Sequence, residues 1–286
     1  MTSSGPQQPV GIVGLGLIGG SLGLDLQALG LEVRALVHRS STAERARERQ
    51  LATSVDTDPA VLKDCGLIVL ALPLDRLLEP PSTLLNALPS EAVITDVGSV
   101  KQPVLERWSR WHPRFVASHP MAGTAQAGVE AGISGLFAGR PWVATPDSGT
   151  DPTALSEVRQ LAQSVKADWL ECEATAHDQA VALISHMPVL VSAALLEAAN
   201  AGGAAAHATA LVRQLASSGF ADTSRIGGGN PELGNLMARC NRTAVLQALA
   251  TYRSQLESLE QLVQREQWEA LEQRLKACQA LRPEFL

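Results

Sequence analysis

Three observations predict an α/β chain. Strand and helix patterns alternate over residues 1–173, a glycine-rich turn follows the first strand, and long Ala/Leu-rich helical runs fill residues 174–286. Together they imply a Rossmann-like, doubly wound N-terminal domain and an all-helical C-terminal domain. "PVGIVGLG" is a short β-rich run into glycines, and "LIGGSLGLDLQALG" has helical spacing that stops at Gly30. "EVRALVH" reads as a second strand and "TAERARERQ" as a charged helix. "GLIVLALP" is a near-continuous apolar run ended by Pro73, as expected of a strand buried on both faces. "DRLLEPPSTLLNAL" reads as a helix punctuated by prolines, and "AVITDVGS", "RFVASHP" and "PWVATP" as further strands. The last strand is expected around "DWLECE", which puts the domain boundary near residue 173. Beyond it "ANAGGAAAH" breaks two helical stretches, and Leu256, Leu259, Val263 and Leu271 share a helical face. The helices carry more apolar positions than a lone helical domain needs. Either a dimer buries them or the domain has a self-contained core.

The bulk properties exclude several classes. The chain of 286 residues is long enough to bury roughly three quarters of its unfolded surface, so it needs no staples. Its net charge of −6 argues against a nucleic-acid partner. Cys65, Cys172, Cys240 and Cys278 are scattered, which fits free thiols rather than a disulfide framework, and no metal is expected. "MTSSGPQQP" lacks the basic and apolar regions of a signal peptide, and no uninterrupted apolar run approaches the ~18 residues of a membrane span. A cytoplasmic protein without membrane contact is the expectation.

Gly14, Gly16 and Gly19 form G-x-G-x-x-G, with Leu17 and Ile18 between the last two, directly after a strand and opening a helix. In that context the pattern predicts dinucleotide binding: a tight turn, close backbone approach to the pyrophosphate, and phosphates on a helix N-terminus. About twenty residues on, where NAD-binding domains carry an acid for the ribose hydroxyls, the chain has His38, Arg39, Ser40, Ser41 and Thr42. An acid there would repel a 2′-phosphate, whereas an arginine flanked by hydroxyls attracts one. Arg39 also reads as a solvated residue at a helix start, with Ser41 or Thr42 as its cap. The missing acid favours NADP.

Two further segments, "TDVGSVK" and "SHPMAGT", end expected strands on the carboxyl side, where doubly wound sheets place ligands. His119 there is a candidate general base or a structural histidine before proline. Ser99 and Lys101 are candidates for the site, or a helix cap and a solvated lysine. His186 lies in a largely apolar helix, where a histidine is more often a satisfied core residue than a ligand. Arg225, ahead of three glycines, could present its fork to a carboxylate.

The segments "GLGLIGGSLG", "TDVGSVK", "SHPMAGT", "HDQAVALISHMP" and "DTSRIGGGNPELG" together resemble the prephenate and arogenate dehydrogenase family. The resemblance implies a nucleotide domain, a helical domain that forms a homodimer, and an active site between them. It implies His119 as the catalytic histidine at the ring hydroxyl and Ser99 beside that hydroxyl and the nicotinamide. His186 and Thr124 would line the substrate, and Arg225 would bind a carboxylate. Prephenate users often carry "SHxxH"; here the second position is Val189, and Ala125 stands where many have Glu. Both departures resemble the arogenate-preferring, NADP-using branch. The expected activity is oxidative decarboxylation of L-arogenate to L-tyrosine. The alternatives are prephenate dehydrogenase, a dehydrogenase of another hydroxy acid, and a non-catalytic NADP-binding sensor.

Overall fold

β1 (Val10–Val13) is buried along its whole length, as an apolar strand in the middle of a sheet must be. The computed structural model describes residues 8–124, 126–201 and 206–285. β2 (Val33–Leu36), β3 (Ser54–Asp56), β4 (Leu67–Leu70), β5 (Val93–Asp96) and β6 (Phe115–Val116) join β1 in a six-stranded sheet of order β3-β2-β1-β4-β5-β6. Every pairing in it is parallel. The N-terminal domain is therefore a Rossmann-like doubly wound domain. The order reverses between β1 and β4. There Val13 pairs with Leu70, and Leu70 with Asp96, so three strands end side by side.

The crossovers are α1 (Leu17–Ala28), α2 (Ser40–Glu48), α3 (Leu74–Leu78), α4 (Ser82–Ala87) and α5 (Gln102–Trp111). The stretch read as one punctuated helix is two, α3 and α4, because Pro80 and Pro81 cannot continue the first. "RFVASHP" likewise divides. β6 stays in the large sheet, while β7 (Ser118–Pro120) begins a second sheet with β8 (Pro141–Ala144) and β9 (Asp168–Glu171). β7 runs antiparallel to β8, and β8 parallel to β9. The break falls where Ser118 turns its N–H to the Asp96 carboxylate, at 3.1 Å, and its hydroxyl to the Asp96 carbonyl, at 2.9 Å. Those bonds take the chain out of the ladder. α6 (Pro152–Ser164), capped by Asp151, follows β8.

Among the described residues the second half has helices and no strand. α7 (Ala174–Val181), a π turn (Ala182–His186) and α8 (Met187–Ala201) form one continuous helix. α9 (Ala206–Leu215), α10 (Ser218–Ser224), α11 (Pro231–Cys240), α12 (Arg242–Gln264) and α13 (Trp268–Leu281) complete it. Its own core is small: Ala182, Ala244, Val245 and Ala248, edged by Met187, Leu190 and Leu249. α13 buries no residue, and Leu211, Leu215, Leu256, Val263, Trp268 and Leu275 stand exposed. The continuous 28-residue helix Ala174–Ala201 is long and apolar enough to cross a membrane by length and composition, although no uninterrupted apolar run marked it. Its first turns are engaged by the nucleotide domain, because Asp178 caps α5.

Candidate active site

The glycine turn is shaped by contacts that leave no room for side chains. Gly14 has φ +97°, and a Cβ on it would strike the Ala71 carbonyl leaving β4. A Cβ on Gly19 would strike the carbonyl of Gly14, so α1 packs directly on the turn. Gly16 faces open space and is the N-cap of α1, where no side chain caps the helix. Free N–H groups and the helix dipole thus meet an open cradle, which fits a pyrophosphate. Leu17 and Ile18, the first residues of α1, are half-buried beside it. His38, Arg39, Ser40 and Ser41 are exposed, and Thr42 is half-buried. Arg39 is the extended N-cap residue of α2, and no side chain caps that helix. Among the described residues, none of these five side chains makes a hydrogen bond or ion pair.

Asp96 ends β5 on the same carboxyl edge and is fully buried. Its carboxylate accepts from the Gly98 N–H at 2.8 Å, from the Ser118 N–H, and from Lys101 Nζ. Lys101, read as a possible solvated residue, is fully buried, and it also donates to the Ser118 carbonyl at 2.6 Å. Burial pushes the Asp96 carboxyl up and the Lys101 ammonium down, and each partner opposes that push on the other. The pair ties the β5 loop to the start of β7. Ser99 does not cap α5. Its Oγ is closed to solvent and has no hydrogen-bond partner among the described residues.

A buried relay runs from His119 across the two halves. His119 Nδ1 lies 2.9 Å from His177 Nε2, and His177 Nδ1 lies 2.8 Å from Asp178 Oδ1. Asp178 accepts from the backbone N–H of Lys101 at 2.7 Å and of Gln102 at 2.9 Å, capping α5 from the helical domain. A carboxylate only accepts, so the proton on His177 Nδ1 points to Asp178. His177 Nε2 then accepts from His119 Nδ1–H, and His119 Nε2 is left with a lone pair. The pKa of His119 is held well below the usual histidine value by burial, with His177, Lys101 and His186 adding in the same direction. A neutral histidine with a free Nε2 is equipped to take a proton from a hydroxyl.

His186 ends the π turn and is buried. Its pKa is lowered to about 4, chiefly by burial. Its Nδ1 lies 3.3 Å from Asn241 Nδ2, while Nε2 is enclosed and has no partner among the described residues. Thr124 is exposed at the end of "SHPMAGT", and its Oγ1 accepts from the Gln126 N–H at 3.2 Å. Arg225 is exposed at the C-terminal end of α10 and is not joined to the histidine cluster. Ser192 of α8 holds its loop, donating to the Thr223 carbonyl and accepting from the Gly227 N–H, both at 2.8 Å. Val189 turns a methyl toward α11: a Cβ on Gly234 would stand 3.4 Å from Val189 Cγ1. Ala125 lies outside the described residues. His177, Asp178, Asp96 and Asn241 were not singled out from the sequence. The adjacent His-Asp pair was the available signal for the first two.

The fold and the cluster define a class: a two-domain, nucleotide-binding oxidoreductase. The family model "Prephenate dehydrogenase, nucleotide-binding domain" matches residues 22–171, and "Prephenate dehydrogenase, dimerization domain" matches residues 173–277. The chain belongs to the prephenate dehydrogenase family. It is 28% identical over 278 residues to a cyclohexadienyl dehydrogenase of Zymomonas mobilis, covering 96% of this chain and 94% of the relative. It superposes on Synechocystis arogenate dehydrogenase with a TM-score of 0.85 and 40% identity, covering 97% of this chain and all of the other. A. aeolicus prephenate dehydrogenase, crystallised with hydroxyphenyl propionate and NAD+, gives a TM-score of 0.91 at 27% identity, covering 99% and 100%.

Proposed function

We propose that this protein is an arogenate dehydrogenase that oxidatively decarboxylates L-arogenate to L-tyrosine and CO2, reducing NADP. The observation that carries the chemistry is the relay that leaves the Nε2 of half-buried His119 as a free acceptor. His119 takes the proton of the ring hydroxyl as that carbon gives up hydride. The bound nicotinamide supplies the hydride acceptor. Asp178, through His177, stabilises the imidazolium that forms. The ring carboxylate then leaves as CO2, its bonding electrons enter the ring, and the phenolate oxygen recovers the proton from His119. Ser99 Oγ, unpartnered beside this loop, bonds the reacting oxygen, and Arg225 holds a carboxylate.

The arogenate reading is supported by the 40% identity to Synechocystis arogenate dehydrogenase, against 26–31% for relatives named for prephenate or cyclohexadienyl substrates. NADP is supported by exposed Arg39 beside Ser40 and Ser41 at the uncapped start of α2. We place the protein in the cytoplasm as a homodimer built through the helical domain. A second reading, prephenate dehydrogenase giving 4-hydroxyphenylpyruvate, is favoured by one contact. Val189, a departure from the pattern of prephenate users, leans on α11 at Gly234, and a residue that packs between helices has less say in substrate choice. The deciding experiment is steady-state kinetics of the purified protein on arogenate and prephenate, each with NADP and with NAD. Arogenate with NADP should give a kcat/KM at least ~10-fold above the other pairs, as one lost polar interaction would produce. Equal or better use of prephenate overturns the substrate assignment, and equal use of NAD overturns the cofactor assignment.

A further inference from the structure

Two histidines of the cluster carry opposite hydrogen-bond polarity, and the residue that sets the second is Asn241. Asn241 joins α11 to α12 and is 6% exposed. Its Nδ2 lies 2.7 Å from the Asp178 main-chain carbonyl oxygen. A carbonyl oxygen only accepts, so the amide atom there is the nitrogen, and the orientation of the amide is determined. The same Nδ2 lies 3.3 Å from His186 Nδ1. Its second hydrogen therefore points at that ring nitrogen, which must carry a lone pair. A neutral ring with Nδ1 unprotonated bears its proton on Nε2.

That Nε2–H is enclosed, and His186 as a whole is only 2% exposed. Native proteins pair nearly all buried donors, so this one calls for an acceptor that the described residues do not supply. The π turn explains how the ring reaches this place. Nine residues separate His177 from His186, about two and a half turns at ~3.6 residues per turn, which would set them on opposite faces of an unbroken α-helix. The π turn Ala182–His186 changes that phase and brings His186 within charge range of both His177 and His119.

We propose that Asn241 is a positioning residue that holds His186 as its Nε2–H tautomer, so that His186 donates to a carboxylate or carbonyl oxygen of the substrate. This rests on the dehydrogenase reading of the site. The wiring then imposes an orientation. His119 requires a donor, which the ring hydroxyl provides, and His186 requires an acceptor oxygen. An ammonium group cannot occupy the position facing His186, because two donors would meet there.

The test begins with protein alone. Two-bond 1H–15N correlation spectra of the 15N-histidine-labelled full chain report the tautomer of each ring, with His186→Gln identifying the His186 signals. The wild type should show His186 neutral and protonated at Nε2. Asn241→Asp, whose carboxylate only accepts, should move the proton of the neutral ring to Nδ1. In kinetics Asn241→Asp should raise KM for the cyclohexadienyl substrate by ~10-fold, one tenfold step in affinity, with kcat and the NADP KM little changed. His186→Gln places an amide N–H close to the lost Nε2–H and should retain most substrate affinity. In that background Asn241→Asp should have no further effect on KM. A wild-type ring protonated at Nδ1, or an unchanged tautomer in Asn241→Asp, overturns the proposal, as does an undiminished KM effect in the double variant. If neither arogenate nor prephenate is turned over, the dehydrogenase reading fails while the tautomer spectra still decide the role of Asn241. Should Asn241→Asp fail to fold, the wild-type spectrum decides alone.

Discussion

In the proposed reaction His119 acts through neighbours that lie far away in the chain. Its lone pair at Nε2 exists only because His177 and Asp178 take up the other side of the ring. His119→Asn should lower kcat by ~10²-fold or more while NADP still binds, since general-base help is typically worth that much. Near wild-type turnover in this variant would remove His119 from the reaction. The pH profile follows from the lowered pKa. In the proposed reaction the base form of His119 is the active one, and it is present above its pKa, which burial holds well below 6.5. The acid limb of kcat/KM should therefore stay level as pH falls through about 6.5, the ordinary histidine value, and drop only at lower pH. An acid limb centred at or above that value would contradict the desolvated, relay-bound histidine described here.

At the scale of elements, two segments position the groups proposed to act on ligands. The open start of α2 presents Arg39, Ser40 and Ser41 where the chain lacks an acid. Arg39→Ala should raise KM for NADP far more than for NAD, because only NADP carries the 2′-phosphate that an arginine fork can pair with. Equal effects on both cofactors would refute that role. The glycine loop after Arg225 is pinned to α8 with no space to spare. A Cβ on Gly227 would stand 2.5 Å from the backbone of Ser192 and Ala193, and neither can move without breaking helix α8. Gly227→Ala should therefore displace Arg225 and raise KM for the substrate, leaving KM for NADP near its original value. A variant with unaltered substrate KM would show that Arg225 does not depend on this loop.

The whole molecule is unevenly finished. The nucleotide domain closes two large apolar clusters around its sheet, with Trp108, Phe137 and Trp142 fully buried or nearly so. The helical domain buries four alanines, Val181, Val245, Leu236 and Met237 and leaves several leucines, Val263 and Trp268 in solvent. So much exposed apolar surface on one domain is what the proposed homodimer interface requires, and exposed Leu183 and Ile184 add to it. The match to a dimerization-domain model covers the same residues. Light scattering at micromolar concentration should give twice the chain mass of 30.2 kDa. A mass of one chain would leave the exposed leucines without a partner and defeat the homodimer.

The sequence by itself determined the layout. Apolar runs bounded by glycine and proline mark buried parallel strands, and the spacing of Gly14, Gly16 and Gly19 marks the turn, because both signals are local. It also singled out His119, Ser99 and His186, through segments whose order along the chain resembles one family. Only the tertiary structure decided how those residues are wired. Lys101 reads as a site candidate or a solvated lysine from the sequence, whereas in the fold it is fully buried against Asp96, five residues away across a loop. "RFVASHP" read as one strand because nothing local reveals that Asp96 captures Ser118 and ends the ladder. His177 and Asp178 lie in a helix whose periodicity is that of any apolar helix. Their role comes from docking against α5, a contact between residues more than seventy positions apart. The π turn is the clearest limit. Counting at 3.6 residues per turn separates His177 from His186, and a single local change of helical phase reunites them. Hydrogen-bond polarity, which makes one histidine an acceptor and the other a donor, depends on partners that no spacing rule specifies.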